Sequence, residues 1–189
     1  MARVAISQSI LRLWIALLIS AALALALRVP AARAEEDTCA GFTWDVRSER
    51  ALFASEAQPA AAGSTLATSP TLAVNHLYQL KLAAPSDIAF LQPPGGTRGE
   101  NGAYAGLARL TVDSAGPYRI SLDESLWVDV IVGGTPVPAK DFQGRPGCHA
   151  PHKIVEFVLP AGVPITLQFS GGRVPQVKVS VTRSRDGPP

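Results

Sequence analysis

From His76 onward the chain runs in short stretches in which every second residue is apolar. Tyr78, Leu80 and Leu82 alternate with Leu77, Gln79 and Lys81. Tyr118, Ile120 and Leu122 alternate with Arg119 and Ser121. Leu126, Val128, Val130 and Val132 share one face, with Trp127, Asp129 and Ile131 on the other. Side chains of a strand point alternately to its two faces, so each run predicts a half-buried strand. Residues 107–112, 153–159, 165–169 and 174–181 read the same way, and 88–91 is a shorter apolar piece. Turn pairs separate the runs: Gly95-Gly96, Ala115-Gly116, Gly133-Gly134, Ala161-Gly162 and Gly171-Gly172. Beyond residue 56 no stretch shows a long face of period 3.6. The pattern predicts an all-β domain, an antiparallel β-sandwich of jelly-roll type with about 8–9 strands. Pro136, Pro138, Pro160, Pro164 and Pro175 stand near strand ends, where proline blunts a sheet edge.

Upstream the pattern is weaker. Residues 57–70 are small, polar or turn-forming and predict a flexible surface loop. Phe42, Trp44 and Val46 alternate like a strand, and residues 47–55 fit either one or two helical turns or an irregular stretch.

Composition divides the chain in two. Its 189 residues carry 17 Lys and Arg against 15 Asp and Glu, a formal charge of +2. Residues 1–34 hold Arg3, Arg12, Arg28 and Arg33 and no acid, so the remainder has a net charge of −2. Arg3 and Arg12 precede an apolar run from Leu13 to Leu27 broken only by Ser20, and Ala32-Arg33-Ala34 follows. A basic head, an apolar run and small residues form the layout of a cleaved secretory signal. The run is shorter than the roughly 20 apolar residues that span a bilayer. Residues 35–189 are then expected as a single exported domain, periplasmic or secreted, with no membrane insertion after signal cleavage. A near-neutral domain with its charges dispersed also excludes a basic nucleic-acid binder.

That domain has two cysteines, Cys39 and Cys148. In an oxidising compartment an even count reads as disulfide pairing, and one intramolecular pairing exists. Closing a loop of this length stabilises a fold by about 4–5 kcal/mol on chain-entropy grounds.

Candidate chemistry concentrates in residues 141–153, a long loop between two predicted strands. Asp141, Arg145, His149 and His152 are its candidate binding residues, because long loops in tight domains are often functional. Metal binding needs three or four converging N, O or S ligands, and Cys148, His149, His152 and Asp141 could supply them, with Cys148 available only if it is unpaired. Two surface histidines beside a disulfide loop is the plainer reading. No catalytic residue is assigned: there is no Gly-x-Ser-x-Gly elbow, and Cys148-His149 are adjacent in sequence, which rarely orients a base to a nucleophile. Asp123 and Glu124 read as exposed turn acids. Asp129 reads as a half-buried acid paired with Arg119 or Arg109. Trp44, Trp127, Tyr104 and Tyr118 read as core aromatics, or else as a platform for sugars. Residues 95–102 read as a mobile glycine-rich hairpin loop rather than a phosphate cradle.

Two resemblances follow from these residues. Gly116-Pro117-Tyr118-Arg119-Ile120-Ser121-Leu122, and Leu159-Pro160-Ala161-Gly162 with Ile165-Thr166-Leu167, resemble paired strand motifs of bacterial pre-peptidase C-terminal domains and related jelly rolls. Those are non-catalytic accessory modules of exported proteins. Gly41-Phe42-Thr43-Trp44-Asp45-Val46, Asp141-Phe142-Gln143-Gly144, Pro146-Gly147-Cys148 and Pro151-His152-Lys153-Ile154-Val155-Glu156-Phe157 resemble a set of small exported proteobacterial proteins without a settled function. Some of these carry the label homogentisate dioxygenase. That label implies a longer cupin chain with an iron site of two histidines and a carboxylate, which His149, His152 and Glu156 would imitate here.

The resulting expectation is an exported, non-catalytic binding or accessory β-sandwich, stapled by Cys39–Cys148, with no cofactor. Its partner would be an exported protein or a small ligand. The alternative is a metal-dependent enzyme built on His149, His152 and Glu156.

Overall fold

Eleven strands and one short helix make up the described part of the chain. The structure, a computed structural model, describes residues 38–95 and 104–185. The expected signal segment lies outside them, as do residues 96–102 of the glycine-rich stretch. In chain order the elements are α1 (Arg47–Phe53), β1 (Gln58–Ala61), β2 (Thr71–Leu72), β3 (Leu77–Lys81), a 3-10 turn (Pro85–Asp87), β4 (Tyr104–Leu110), β5 (Gly116–Leu122), β6 (Trp127–Val132), β7 (Thr135–Val137), β8 (Asp141–Gly144), β9 (Lys153–Leu159), β10 (Ile165–Gly172) and β11 (Gln176–Arg183).

The strands form two sheets, ordered β1-β3-β11-β5-β9-β8 and β2-β4-β10-β6-β7. Within them the orders β3-β11-β5-β9 and β4-β10-β6-β7 make a jelly roll, in which successive strands change sheet except at the β6–β7 hairpin. The antiparallel expectation holds for this eight-stranded body. It fails at one side, where β1 pairs with β3 and β2 with β4 in parallel. The strand number also exceeds the expected one, because β1, β2, β7 and β8 have two to four residues each, too few to show a period.

The alternating positions meet between the sheets. Leu80, Ile120, Leu122, Phe157, Leu159, Val179 and Val181 from one sheet pack in one cluster with Leu110, Val128, Val130, Ile165, Leu167 and Phe169 from the other. Fully burying a side chain of this size contributes roughly 1.5–3 kcal/mol, so this cluster is the main cohesive force. One of the predicted edge prolines acts as expected: Pro136 lies in β7, at the edge of its sheet.

Three local readings change. The 57–70 stretch is not a plain loop, since it contains β1 and closes on β4 through an isolated bridge from Gly63 to Leu107. A Cβ on Gly63 would lie 2.5 Å from the Ser69 backbone, so glycine permits that approach. Residues 42–46 form no strand, and residues 88–91 form none either. Both segments instead lie on the outer face of a sheet, as described next.

Among the described residues no helix is long and apolar enough to cross a membrane. Cys39 and Cys148 are joined by a disulfide, as the cysteine count predicts.

Candidate functional site

Each sheet carries buried polar side chains on its outer face, and on each sheet a non-strand segment binds one or more of them. On the six-stranded sheet the key is Arg119, in β5, with only 1% of its surface exposed. Register places it opposite Glu156 of β9 and Thr182 of β11. Its Nε donates to Glu156 Oε2 at 3.2 Å, and its Nη1 donates to the carbonyl of Asp45 at 3.0 Å. The Trp44 ring stacks on its guanidinium, and Glu49 of α1 accepts from Thr182 at 2.6 Å. Residues 38–53 thus form a strap over this face. Its other fixings run to the 143–148 region: the disulfide, Thr38 Oγ1 to the Gly147 carbonyl, the Thr43 amide to Gln143, and Arg145 over the Phe42 ring.

On the five-stranded sheet the key is Gln168 in β10, which is fully buried. Its side-chain oxygen accepts from the Leu91 amide, and its NH2 donates to the Gln92 carbonyl and to Asp129. Ile88, Phe90 and Leu91 cover Ala105 and Leu107 beside it. A groove along β1, β3 and β11, lined by Pro59, Ala60, Ala61, Gln79, Lys81 and Gln176, contains no acid, histidine or cysteine.

With the middle of both faces closed, the chemically varied surface is one end of the sandwich. The end of β5 and the start of β9 meet there, with Leu122 opposite Lys153. Trp127, at the start of β6, is 41% exposed. Its indole N–H donates to Asp129 Oδ1 at 2.7 Å, and the Lys153 ammonium sits 5.2 Å from its ring centre. Lys153 also donates to the Leu126 carbonyl. Burial lowers the Lys153 pKa from its ordinary value, against the pull of Asp129. His149 and His152 stand at the same end: the His149 Nδ1 lies 2.9 Å from the Asp123 carbonyl and the His152 Nδ1 lies 3.2 Å from the Cys148 carbonyl. Their rings are 6.3 Å apart.

The predicted site residues divide. His149 and His152 are together, but Glu156 does not join them. It faces the strap, held by Arg119 and by Lys140 at 2.8 Å. Burial works against its charge, and hydrogen bonds from Lys140 and Arg119 outweigh that and keep its pKa low. Among the described residues, no three His, Cys, Asp or Glu side chains form a group able to hold a metal. The four candidate binding residues do not form one site either. Asp141 sits opposite Glu156 at the far end of β8 from Lys153, and Arg145 is turned toward Phe42. Asp129 pairs with neither Arg119 nor Arg109; it holds Trp127, the Gly95 amide and Gln168, while Arg109 donates to the Ser69 carbonyl. Asp123 is not a simple exposed acid: it accepts from the Lys178 amide, and burial raises its pKa. The four aromatics form no platform, since Tyr118 is in the core, Tyr104 packs against it and Trp44 lies in the strap over the other sheet.

Sequence reasoning missed Arg119 as a buried centre. Its signal was present in the charge of Arg119 and Glu156 on two runs that pair as neighbours, but only register shows that they meet.

The chain matches no protein-family model and no curated protein.

Proposed function

We propose that the protein is an exported, non-catalytic binding or accessory module that engages its ligand at the Trp127 end of the sandwich. The observation that carries this reading is Trp127 itself. It is a large aromatic side chain left open to solvent, yet locked by Asp129 and capped by Lys153. Rigid tryptophans supply much contact area at little entropic cost, which is why they dominate binding hot spots. The strap and the 83–95 segment leave this end as the place where aromatic, basic and imidazole groups lie together. Support for export comes from the disulfide, which persists in oxidising compartments, and from the signal-like layout of residues 1–34. We place the protein in the periplasm or outside the cell. The resemblance to jelly-roll accessory modules agrees with a role in binding rather than catalysis.

The test is retention of periplasmic components on immobilised protein, wild type against Trp127→Ala. Trp127 is half out of the fold, so the variant should keep its melting temperature while losing the retained component. Equal retention by both proteins would move the binding surface elsewhere.

A further inference from the structure

We propose that the Cys39–Cys148 disulfide is a directional latch on the strap. A dithiol reductant opens it by attack on Cys39, Cys148 leaves as the thiolate, and residues 38–53 come away from a sandwich that stays folded. This goes beyond the binding role of the Trp127 end and does not rest on it.

The two sulfurs sit in unlike surroundings. Cys148 is fully buried and held at several points. Its amide donates to the Arg145 carbonyl at 3.1 Å, its carbonyl faces the His152 Nδ1 at 3.2 Å, and its sulfur accepts from the Ala150 amide at 3.3 Å. Cys39 is half-buried in the strap, between exposed Thr38 and Ala40. Thiol–disulfide exchange needs access to the attacked sulfur and goes faster when the departing thiolate is the better leaving group. A backbone N–H aimed at a sulfur favours negative charge there. Access selects Cys39 for attack, and the Ala150 N–H selects Cys148 to leave.

The step balances as follows. One thiolate of the reductant bonds to the Cys39 sulfur as the Cys39–Cys148 bond breaks, and the Cys148 thiolate takes up the proton that the attacking thiol released. The second thiol then attacks the mixed disulfide. Cys39 is released as a thiol, and the dithiol departs oxidised to its own disulfide. A disulfide-exchange protein with a paired cysteine motif is a reductant of this class.

The latch holds a segment built differently from the body it covers. Residues 38–46 belong to no helix or strand. Their other ties to the 143–148 region are exposed hydrogen bonds, from Thr38 to Gly147 and between Thr43 and Gln143, with Arg145 over the Phe42 ring. The sandwich is held instead by strand ladders in two sheets and by the core between them. Segments with few buried contacts open below the free energy of global unfolding. Opening uncovers Arg119 and Glu156, so reduction changes the surface that the six-stranded sheet presents.

The experiment starts from the disulfide-bonded protein. Glutathione, a monothiol that stops at the mixed disulfide, is added, and an alkylating agent quenches the reaction before peptide mapping. Glutathione on Cys39 with the alkyl group on Cys148 should exceed the reverse by roughly tenfold or more. Protein reduced with dithiothreitol is then followed by hydrogen exchange under native conditions. Residues 43–53 should exchange roughly tenfold faster or more than in the oxidised protein, β10 should keep its protection, and reoxidation should restore the first pattern. No mixed disulfide, an even split, or glutathione mainly on Cys148 overturns the direction of attack. Unchanged exchange in residues 43–53, or loss of protection in β10 together with them, overturns the latch.

Discussion

The guanidinium of Arg119 lies 4.4 Å from the centre of the Trp44 ring, sandwiching a buried cation between the strap and the sheet. On its other side it meets Glu156, and Glu49 stands 3.9 Å away. Three charges out of water are costly unless each is paired, and removing one partner of such a group costs about 3–5 kcal/mol because the others stay buried. Arg119→Met, which keeps an unbranched apolar stem and removes the guanidinium, is therefore expected to destabilise the protein by that amount. Urea denaturation of the variant checks it. A loss below about 1 kcal/mol would mean that solvent reaches Glu156 through the strap.

Acid should act on the same cluster. The Glu156 pKa is lower in the folded state than its ordinary value of 4.5. A carboxyl with a depressed folded pKa contributes its full stability above the unfolded value and loses it as pH falls toward the folded one. Thermal stability should therefore fall below about pH 4.5, and Glu156→Gln, less stable at neutral pH, should show a shallower fall. Parallel melting curves for the two proteins between pH 7 and pH 3 would remove Glu156 from the acid response.

Asp123 has the opposite sign. Burial raises its pKa, so its charge is a burden to the fold at neutral pH, and that burden lifts as pH falls through the raised value. Asp123→Asn keeps an acceptor for the Lys178 amide and discards the charge. The variant should melt higher than the wild type at pH 7, with the gain shrinking in acid. A lower melting temperature at pH 7 would show that the ionised carboxylate is needed at the Lys178 amide.

The Cys39–Cys148 bond spans 109 positions and anchors the strap at its start. For a loop of that size the constraint on the unfolded chain contributes about 4–5 kcal/mol. Cys39→Ala with Cys148→Ala should lose most of this. Hydrogen exchange should quicken first in α1, whose fixing to the sheet depends on the strap, and last in β10, at the centre of its sheet. Uniform loss of protection would show that the strap and sheet open as one unit.

Much of this molecule could be read from alternation alone. The seven longer strands, β3, β4, β5, β6, β9, β10 and β11, each carry several period-two positions, and their inward residues are the core. Alternation states which residues share a face but not what covers that face. Arg119 looked solvent-facing beside Tyr118 and Ile120, and it is buried because residues 38–53 close over it. Glu156 looked like a ligand near His152, but a strand sends it to the strap side. The histidine pair was legible because it is local in sequence; the pairing of Arg119 with Trp44 and Glu156 was not, because it depends on topology between distant segments.

Packing of the 57–70 stretch gives a direct test of a second close approach. A Cβ built on Gly106 would lie 2.4 Å from the Cβ of Ala62, closer than two carbons can stand. Gly106→Ala should therefore cost about 1–3 kcal/mol through overpacking. The clash lies between two methyl groups, so Ala62→Gly in the same chain removes it. The double variant should recover most of the loss, less the roughly 0.5–1 kcal/mol that a glycine costs within extended structure. Chemical denaturation of the single and double variants gives the coupling between the two positions. Additive losses would mean that Gly106→Ala acts on Leu82, whose Cδ2 would lie 3.3 Å from the new methyl, and not on Ala62.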